Sequence, residues 1–156
     1  MWINVEGRHY PSEVASDRLV PGSAERRFVE HARVARLATV RPDGTPHLVV
    51  VTFALVGDTV VTAVDEKPKR TRELQRLANI EHQPAVSLLV DRYDEDWSQL
   101  GWVRLDGTAE VVRDEPRCSD LIEPLIGKYE QYHERPPRGP VVVIGVRRVT
   151  SWSAAG

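Results

Sequence analysis

The 156-residue chain is 41% hydrophobic and 28% charged, which is ordinary for a soluble globular protein and predicts one domain with a single core. A formal net charge of −2 gives no overall attraction to nucleic acid, and a single cysteine, Cys118, excludes an intramolecular disulfide and a multi-cysteine metal site. Because the sequence shows neither a secretory leader nor an apolar run of about 20 residues, we expect a cytoplasmic protein without membrane or nucleic-acid partners.

Residues 1–23 show no sustained hydrophobic period and include Pro11 and Pro21, so we interpret them as an N-terminal arm ahead of a domain formed by residues 24–156. The arm is compatible with a disordered tail or with a contact to a partner subunit. Ser23 is a candidate N-cap for a short helix over residues 24–32, where apolar side chains recur at helical spacing.

Three predicted strands follow, over residues 34–40, 47–55 and 59–64, joined by tight turns that contain Gly44 and Gly57. The second strand is apolar at nearly every position, so both of its faces must be covered. In a small barrel the interior would cover one face. A helix or a second subunit would have to cover the other.

A basic segment comes next and leads into a helix predicted over residues 72–82, with Thr71 as its N-cap. Its cations are Lys67, Lys69, Arg70 and Arg72. Cations are unfavourable at a helix N-terminus, whereas a phosphate there would satisfy both the cations and the free backbone N–H groups. The alternative is a solvated basic loop screened by the two preceding carboxylates.

The remaining strands are predicted over residues 85–90, 100–112 and 141–151, with a bulge or bend at Gly107. A helix capped by Asp114 should kink or split near Pro124. Trp97 and Trp102 suit packing anchors, or the wall of a planar cofactor site. The short connections predict a mainly β (α+β) fold, a six-stranded antiparallel barrel with two or three flanking helices.

Several familiar sites are absent from the sequence. It contains no dinucleotide-binding or phosphate-binding glycine loop, no nucleophile elbow and no H-E-x-x-H zinc motif, and its five histidines lack metal-ligand spacing. No catalytic residue and no metal ligand is assigned for this reason. If the protein is an enzyme, a bound cofactor would perform the chemistry.

Four segments carry a resemblance to a known family: ARLATVRPDGTPHLVVVTFALVGDTVV, KPKRTREL, SLLVDRYDEDWSQLGWVRLDGTAEV and VTSWSA. Together they resemble the pyridoxamine 5′-phosphate oxidase-related proteins of the FMN-binding split β-barrel type. Within these, the chain is most similar to the actinobacterial branch that uses the deazaflavin coenzyme F420. The resemblance covers about residues 25–154 and implies a homodimer that binds its cofactor in a groove between subunits.

The resemblance also implies a set of cofactor-binding residues. The phosphate-binding segment corresponds to Lys67, Lys69, Arg70, Thr71 and Arg72; the strands beside the cofactor ring correspond to Pro46, His47, Val49, Val50, Val51, Thr62 and Ala63. The partner subunit would close the groove with an aromatic side chain at the position of Trp97. From their charge alone, Arg135 and Arg138 are candidates to contact the oligoglutamate tail of a deazaflavin.

FMN-dependent members of the family carry an arginine where this chain has His47, and a lysine further along the strand; here no lysine lies between His47 and Leu55. This departure favours F420 over FMN. The resulting hypothesis is an F420-dependent oxidoreductase that transfers a hydride to an unsaturated small molecule, with a proton from solvent or from His47. The alternatives are an FMN-dependent oxidase and a non-catalytic module that binds a flavin, deazaflavin or haem.

Overall fold

The computed structural model describes residues 12–64 and 70–155, including the side chains of all of these except residues 70–74. The described strands are β1 Val14–Ser16, β2 Ala35–Val40, β3 Pro46–Val51, β4 Ala54–Val56, β5 Thr59–Ala63, β6 Ala85–Arg92, β7 Gly101–Val112 and β8 Val141–Ser153. The helices are α1 Ala24–His31, α2 Arg70–His82, α3 Glu115–Lys128 and α4 Gln131–Glu134, with a 3₁₀ turn at Trp97–Gln99.

All eight described strands belong to one antiparallel sheet. Its hydrogen-bonded order is β3-β2-β6-β7-β8-β5-β4, and β1 pairs with β8 beside this path. The mainly antiparallel fold with flanking helices is confirmed, whereas the predicted numbers are wrong: the described residues form eight strands rather than six and four helices rather than two or three. The two additional strands are β1, which was assigned to the arm, and β4, which was predicted as the end of the second strand.

The predicted strand over residues 47–55 is broken at Thr52 and Phe53. Its first part, β3, forms one end of the sheet, and its second part, β4, forms the other. The two ends are therefore joined by a two-residue connection rather than by a hydrogen-bonded ladder. This is how the sheet closes into a split barrel.

Two tyrosines from the C-terminal helices hold this connection in place. The Tyr129 hydroxyl accepts a hydrogen bond from the Phe53 N–H at 3.0 Å and donates to the Arg33 carbonyl oxygen at 2.8 Å. The hydroxyls of Tyr132 and Thr52 lie 2.7 Å apart. Because the connection cannot pair with a neighbouring strand, Tyr129 satisfies backbone groups that would otherwise be buried without partners, while Tyr132 bonds the side chain of Thr52.

The core has two parts. Inside the barrel, side chains of β2, β6, β7 and β8 pack with Leu77 and Ile80 of α2, which lies against β2 and β7. Outside, Ile122 and Leu125 of α3 pack on the opposite face of β5. The helix predicted after Asp114 is therefore confirmed, and it runs through Pro124 without splitting.

The bulge predicted at Gly107 is confirmed, because the register between β7 and β8 shifts between Asp106 and Gly107. A Cβ atom on Gly107 would clash with the Gly145 carbonyl oxygen, so the two strands approach each other too closely for any larger residue. Within the predicted arm, β1 pairs with residues 149–151 of β8. None of the described helices is long and apolar enough to span a membrane.

Candidate functional site

Strand β3 presents two different faces. His47, Val49 and Val51 pair in register with the buried Thr39, Leu37 and Ala35 of β2, and directly paired residues share a face of the sheet. This is the inner face. The outer face carries Pro46, Leu48 and Val50, which are exposed. The five β3 residues predicted to contact a cofactor ring are thus divided between the faces, with His47, Val49 and Val51 inside and Pro46 and Val50 outside.

A chain of polar side chains leads from His47 into the protein. His47 Nδ1 lies 3.4 Å from Thr39 Oγ1, which accepts a hydrogen bond from Asn79 Nδ2 at 2.9 Å. Asn79 Oδ1 in turn accepts from Gln75 Nε2 at 2.8 Å. Thr39 and Asn79 are almost fully buried, whereas His47 and Gln75 are partly exposed. This series of hydrogen bonds therefore connects β3, β2 and α2 beneath a histidine that solvent or a ligand can reach.

His47 is neutral at physiological pH in this environment. Burial lowers its pKa below the usual 6.5, and the positive charges of Arg41 and Arg76 lower it further. A cation beside these arginines would be unfavourable, so the side chain is available as a neutral hydrogen-bonding group.

Arg76 is a buried arginine on α2 that was not predicted as part of the site. Its Nη2 donates to the Ala63 carbonyl oxygen at 3.3 Å, and its side chain is close enough to His47 to influence the pKa of that histidine. A sequence signal did exist, because Arg72 and Arg76 are four residues apart and share a helix face. Thr39, Gln75 and Asn79 were also missed, and no local pattern in the sequence indicates them.

The predicted phosphate-binding segment is only partly described. Lys67 and Lys69 lie outside the described residues. Arg70, Thr71 and Arg72 form the first turn of α2, without a description of their side chains. The prediction that Thr71 is the N-cap is wrong, because the helix begins at Arg70 and Thr71 lies inside it. The hydrogen-bonding role of a cap requires a position outside the helical residues.

Two other predicted ring residues, Thr62 and Ala63, are buried in β5, at 0% and 4% exposure. Trp97 is 58% exposed in the 3₁₀ turn, where the Asp96 side chain accepts a hydrogen bond from the Ser98 N–H. The interpretation of Trp97 as a packing anchor within the chain is therefore wrong, while Trp102 is half-buried.

The loop that carries Arg135 and Arg138 is joined by a hydrogen bond to the residue that follows β5. The Val64 N–H donates to the Pro140 carbonyl oxygen at 3.2 Å, and Val64 is the last described residue before residues 65–69. Arg135 and Arg138 are exposed. Within residues 12–64 and 70–155, no group of three or more His, Cys, Asp and Glu side chains could hold a metal ion.

The family model for pyridoxamine 5′-phosphate oxidase matches residues 23–153, which is most of the chain and includes the barrel and its helices. The chain belongs to the pyridoxamine 5′-phosphate oxidase family. This confirms the family resemblance and the split-barrel fold, but it does not distinguish the F420-using branch from others. No curated protein sequence matches the chain significantly.

Solved structures with the same fold include proteins named for different ligands. A conserved hypothetical protein from Mycobacterium tuberculosis is 24% identical, with a TM-score of 0.69 over 89% of this chain and 88% of that chain. A haem-binding protein from Mycobacterium smegmatis is 23% identical, with a TM-score of 0.66 over 88% of this chain and 57% of that chain. An FAD-binding protein from Mesorhizobium loti is 17% identical, with a TM-score of 0.60 over 89% of this chain and 96% of that chain. At these identities the likeness concerns the fold.

Proposed function

We propose that this chain is an F420-dependent oxidoreductase that binds the deazaflavin beside β3 and α2 and transfers a hydride to an unsaturated small molecule. The observation that carries the proposal is the position of His47. This neutral side chain lies within electrostatic reach of the buried Arg76, on a helix that begins with Arg70, Thr71 and Arg72. We propose that this polar group contacts the ring and that the basic helix terminus binds the phosphate of the same molecule.

The phosphate of the coenzyme would bind at the basic segment and the first turn of α2. Arg70 and Arg72 are in that turn, and Lys67 and Lys69 precede it in the sequence. The helix dipole is unfavourable for these cations, so a bound phosphate would reverse an otherwise destabilising arrangement. We propose all five residues of the segment, Thr71 included, as phosphate ligands.

The choice of F420 over FMN is supported by charge on a neighbouring loop. Arg135 and Arg138 are exposed on the loop that the Val64–Pro140 hydrogen bond joins to the residue after β5, and the basic segment follows that residue in the sequence. An oligoglutamate tail extending from the phosphate would need such additional cations, whereas FMN ends at its phosphate. The histidine at position 47 and the lack of a lysine as far as Leu55 point in the same direction.

A second copy of the chain would complete the groove. Leu48 and Val50 are 66% and 63% exposed on the outer face of β3, at one end of the sheet. Large apolar side chains clustered at a sheet edge favour burial against a partner. We propose a homodimer in which this face and Trp97 contribute to the inter-subunit groove, so that Pro46 and Val50 lie against the coenzyme or the partner.

When bound, F420 supplies the hydride chemistry. The residues of this chain would bind its phosphate, orient its ring along β3 and exclude water by closing the groove. His47 could hold a hydrogen bond to the ring or pass a proton to the product, and solvent is the other proton source. No residue is assigned as catalytic.

Titration of the purified protein with F420, FMN and haemin, followed by quenching of tryptophan fluorescence, tests the proposal. We expect tight binding of F420 and weak binding of FMN. Tight FMN binding without F420 binding would support an FMN-dependent oxidase instead. Haemin binding alone, or F420 binding without oxidation of the reduced coenzyme across a broad panel of unsaturated substrates, would indicate a binding module.

A further inference from the structure

In the series of hydrogen bonds beneath His47, the donor and the acceptor of each bond can be assigned. Asn79 Oδ1 accepts a hydrogen bond from Gln75 Nε2, so the amide of Asn79 is oriented with its nitrogen toward Thr39. An amide nitrogen can only donate, so Thr39 Oγ1 is the acceptor of the 2.9 Å bond between them. The single proton of the Thr39 hydroxyl is therefore free to be donated elsewhere.

The acceptor for this proton is His47. Within the described part of the chain, the other hydrogen-bonding partner of Thr39 Oγ1 is His47 Nδ1, at 3.4 Å. If the hydroxyl donates to Nδ1, then Nδ1 must carry the ring lone pair. In a neutral imidazole the proton then resides on Nε2.

We infer that Thr39 and Asn79 are positioning residues that hold His47 in its Nε2–H tautomer, so that its partly exposed ring donates a hydrogen bond to an oxygen atom of the bound molecule. The acceptor class is a carbonyl or an anionic oxygen. The assignment of this acceptor to a ligand beside β3 rests on the proposed function. The tautomer itself depends only on the contacts of the chain.

One further observation agrees with this tautomer, and the tautomer has a consequence for haem binding. The lowered pKa of His47, caused by burial and by Arg41 and Arg76, keeps the ring neutral, and only a neutral ring has a defined tautomer. In addition, a histidine that ligates iron through Nε2 needs its lone pair on that nitrogen and usually donates from Nδ1 to an acceptor. The hydrogen bonds below His47 favour the opposite arrangement, so they disfavour His47 as an axial haem ligand.

The tautomer can be measured directly by long-range ¹H–¹⁵N correlation spectroscopy of the ligand-free, ¹⁵N-labelled protein near pH 8. His31 provides an internal control, because its Nδ1 lies 2.7 Å from the Arg27 carbonyl oxygen, which can only accept. We expect His31 to show a protonated Nδ1 and His47 a protonated Nε2. Spectra of His47→Gln and His31→Gln assign the two rings.

Substitution of Thr39 tests the role of the hydroxyl. Thr39→Val keeps the shape of the buried side chain and removes the donor, so His47 should change to a mixture of tautomers, while Thr39→Ser should retain the Nε2–H form. A protonated Nδ1 on His47 in the unmodified protein, or the same spectrum in Thr39→Val, would overturn the inference. Neither result depends on any ligand.

The acceptor is tested by coenzyme affinity. Glutamine places a donor near the position of Nε2 and leucine does not, so we expect F420 to bind His47→Leu about 3–10-fold more weakly and His47→Gln within about twofold of the unmodified protein. Equal affinity in His47→Leu would overturn the ligand contact. If the unmodified protein binds no F420, the ligand contact fails together with the proposed function, whereas the spectrum still decides the tautomer.

Discussion

Gly139 lies directly against Val64: a Cβ atom on the glycine would be 2.8 Å from the Val64 carbonyl oxygen and 3.0 Å from its Cβ atom. The Val64 N–H also donates to the Pro140 carbonyl oxygen. This contact joins the loop that carries Arg138 to the residue from which the chain continues into the basic segment. We therefore expect a change in this contact to affect both the loop cations and the proposed phosphate ligands.

Gly139→Ala should separate these two backbones. Because the added carbon would contact a backbone atom, we expect a loss of about 1–3 kcal/mol in the free energy of unfolding, together with weaker F420 binding. Gly127→Ala is the matched control, since nothing lies within 4 Å of its added carbon and the residue is in α3. That control should be stabilising by about 0.5–1 kcal/mol. Chemical denaturation of both variants measures the difference, and equal stability would contradict the close contact.

Removal of the Tyr129 hydroxyl should weaken the closure of the barrel. Tyr129→Phe leaves the buried Phe53 N–H without its partner, so we expect a cost of about 1–3 kcal/mol. Tyr132→Phe removes one bond to the Thr52 hydroxyl and should cost only about 0.5–1.5 kcal/mol. Denaturant unfolding of the two variants gives the ranking. A larger loss in Tyr132→Phe would show that the connection between β3 and β4 is held differently.

The stability of the protein should depend on the charge of His47. Its folded pKa lies below 6.5, so the unfolded chain takes up a proton first as the pH falls. The contribution of His47 is thus fully present above pH 6.5 and is lost as the pH falls through the lowered folded pKa. Relative to His47→Gln, the unmodified protein should lose stability below pH 6.5. A gain in stability on acidification, relative to His47→Gln, would contradict a lowered pKa of His47 in the folded protein.

Lys128 should be an unusually reactive amine. Burial lowers its pKa to about 8, with a further contribution from Arg33, and its Nζ lies 3.9 Å from the centroid of the Phe53 ring. Trace labelling with acetic anhydride across a pH series should give a titration midpoint near that value. Arg33→Ala should raise the midpoint without restoring it fully, because burial is the larger cause. A midpoint close to 10.5 in the unmodified protein would contradict the half-buried environment.

The sequence predicted the strands that have a clear period and visible turns, because alternation and glycine turns are local signals. The break at Thr52 and Phe53 was not predictable in this way. It contains neither glycine nor proline, and the groups that fix it, Tyr129 and Tyr132, come almost eighty residues later. Strand β1 is only three residues long and has too few positions to show a period.

The candidate site depended on two kinds of signal. The cations were predicted because they stand at a helix start, whereas His47 was predicted from the family resemblance. Thr39 and Asn79 are buried polar residues that form a hydrogen bond with each other. Because they are forty residues apart, the sequence contains no local signal for this pair. The burial of Thr62 and Ala63 depends on the elements that cover β5, so it too required the tertiary structure.

The affinity for F420 after removal of cations from the basic segment tests the central claim most directly. Charge-assisted phosphate contacts contribute about 1.5–3 kcal/mol each, so Lys69→Ala combined with Arg70→Ala should weaken binding at least about 100-fold. Arg147→Ala combined with Arg148→Ala removes the same charge from exposed positions of β8 and should leave the affinity nearly unchanged. If the first double variant binds F420 as tightly as the second, the phosphate is not held at the start of α2.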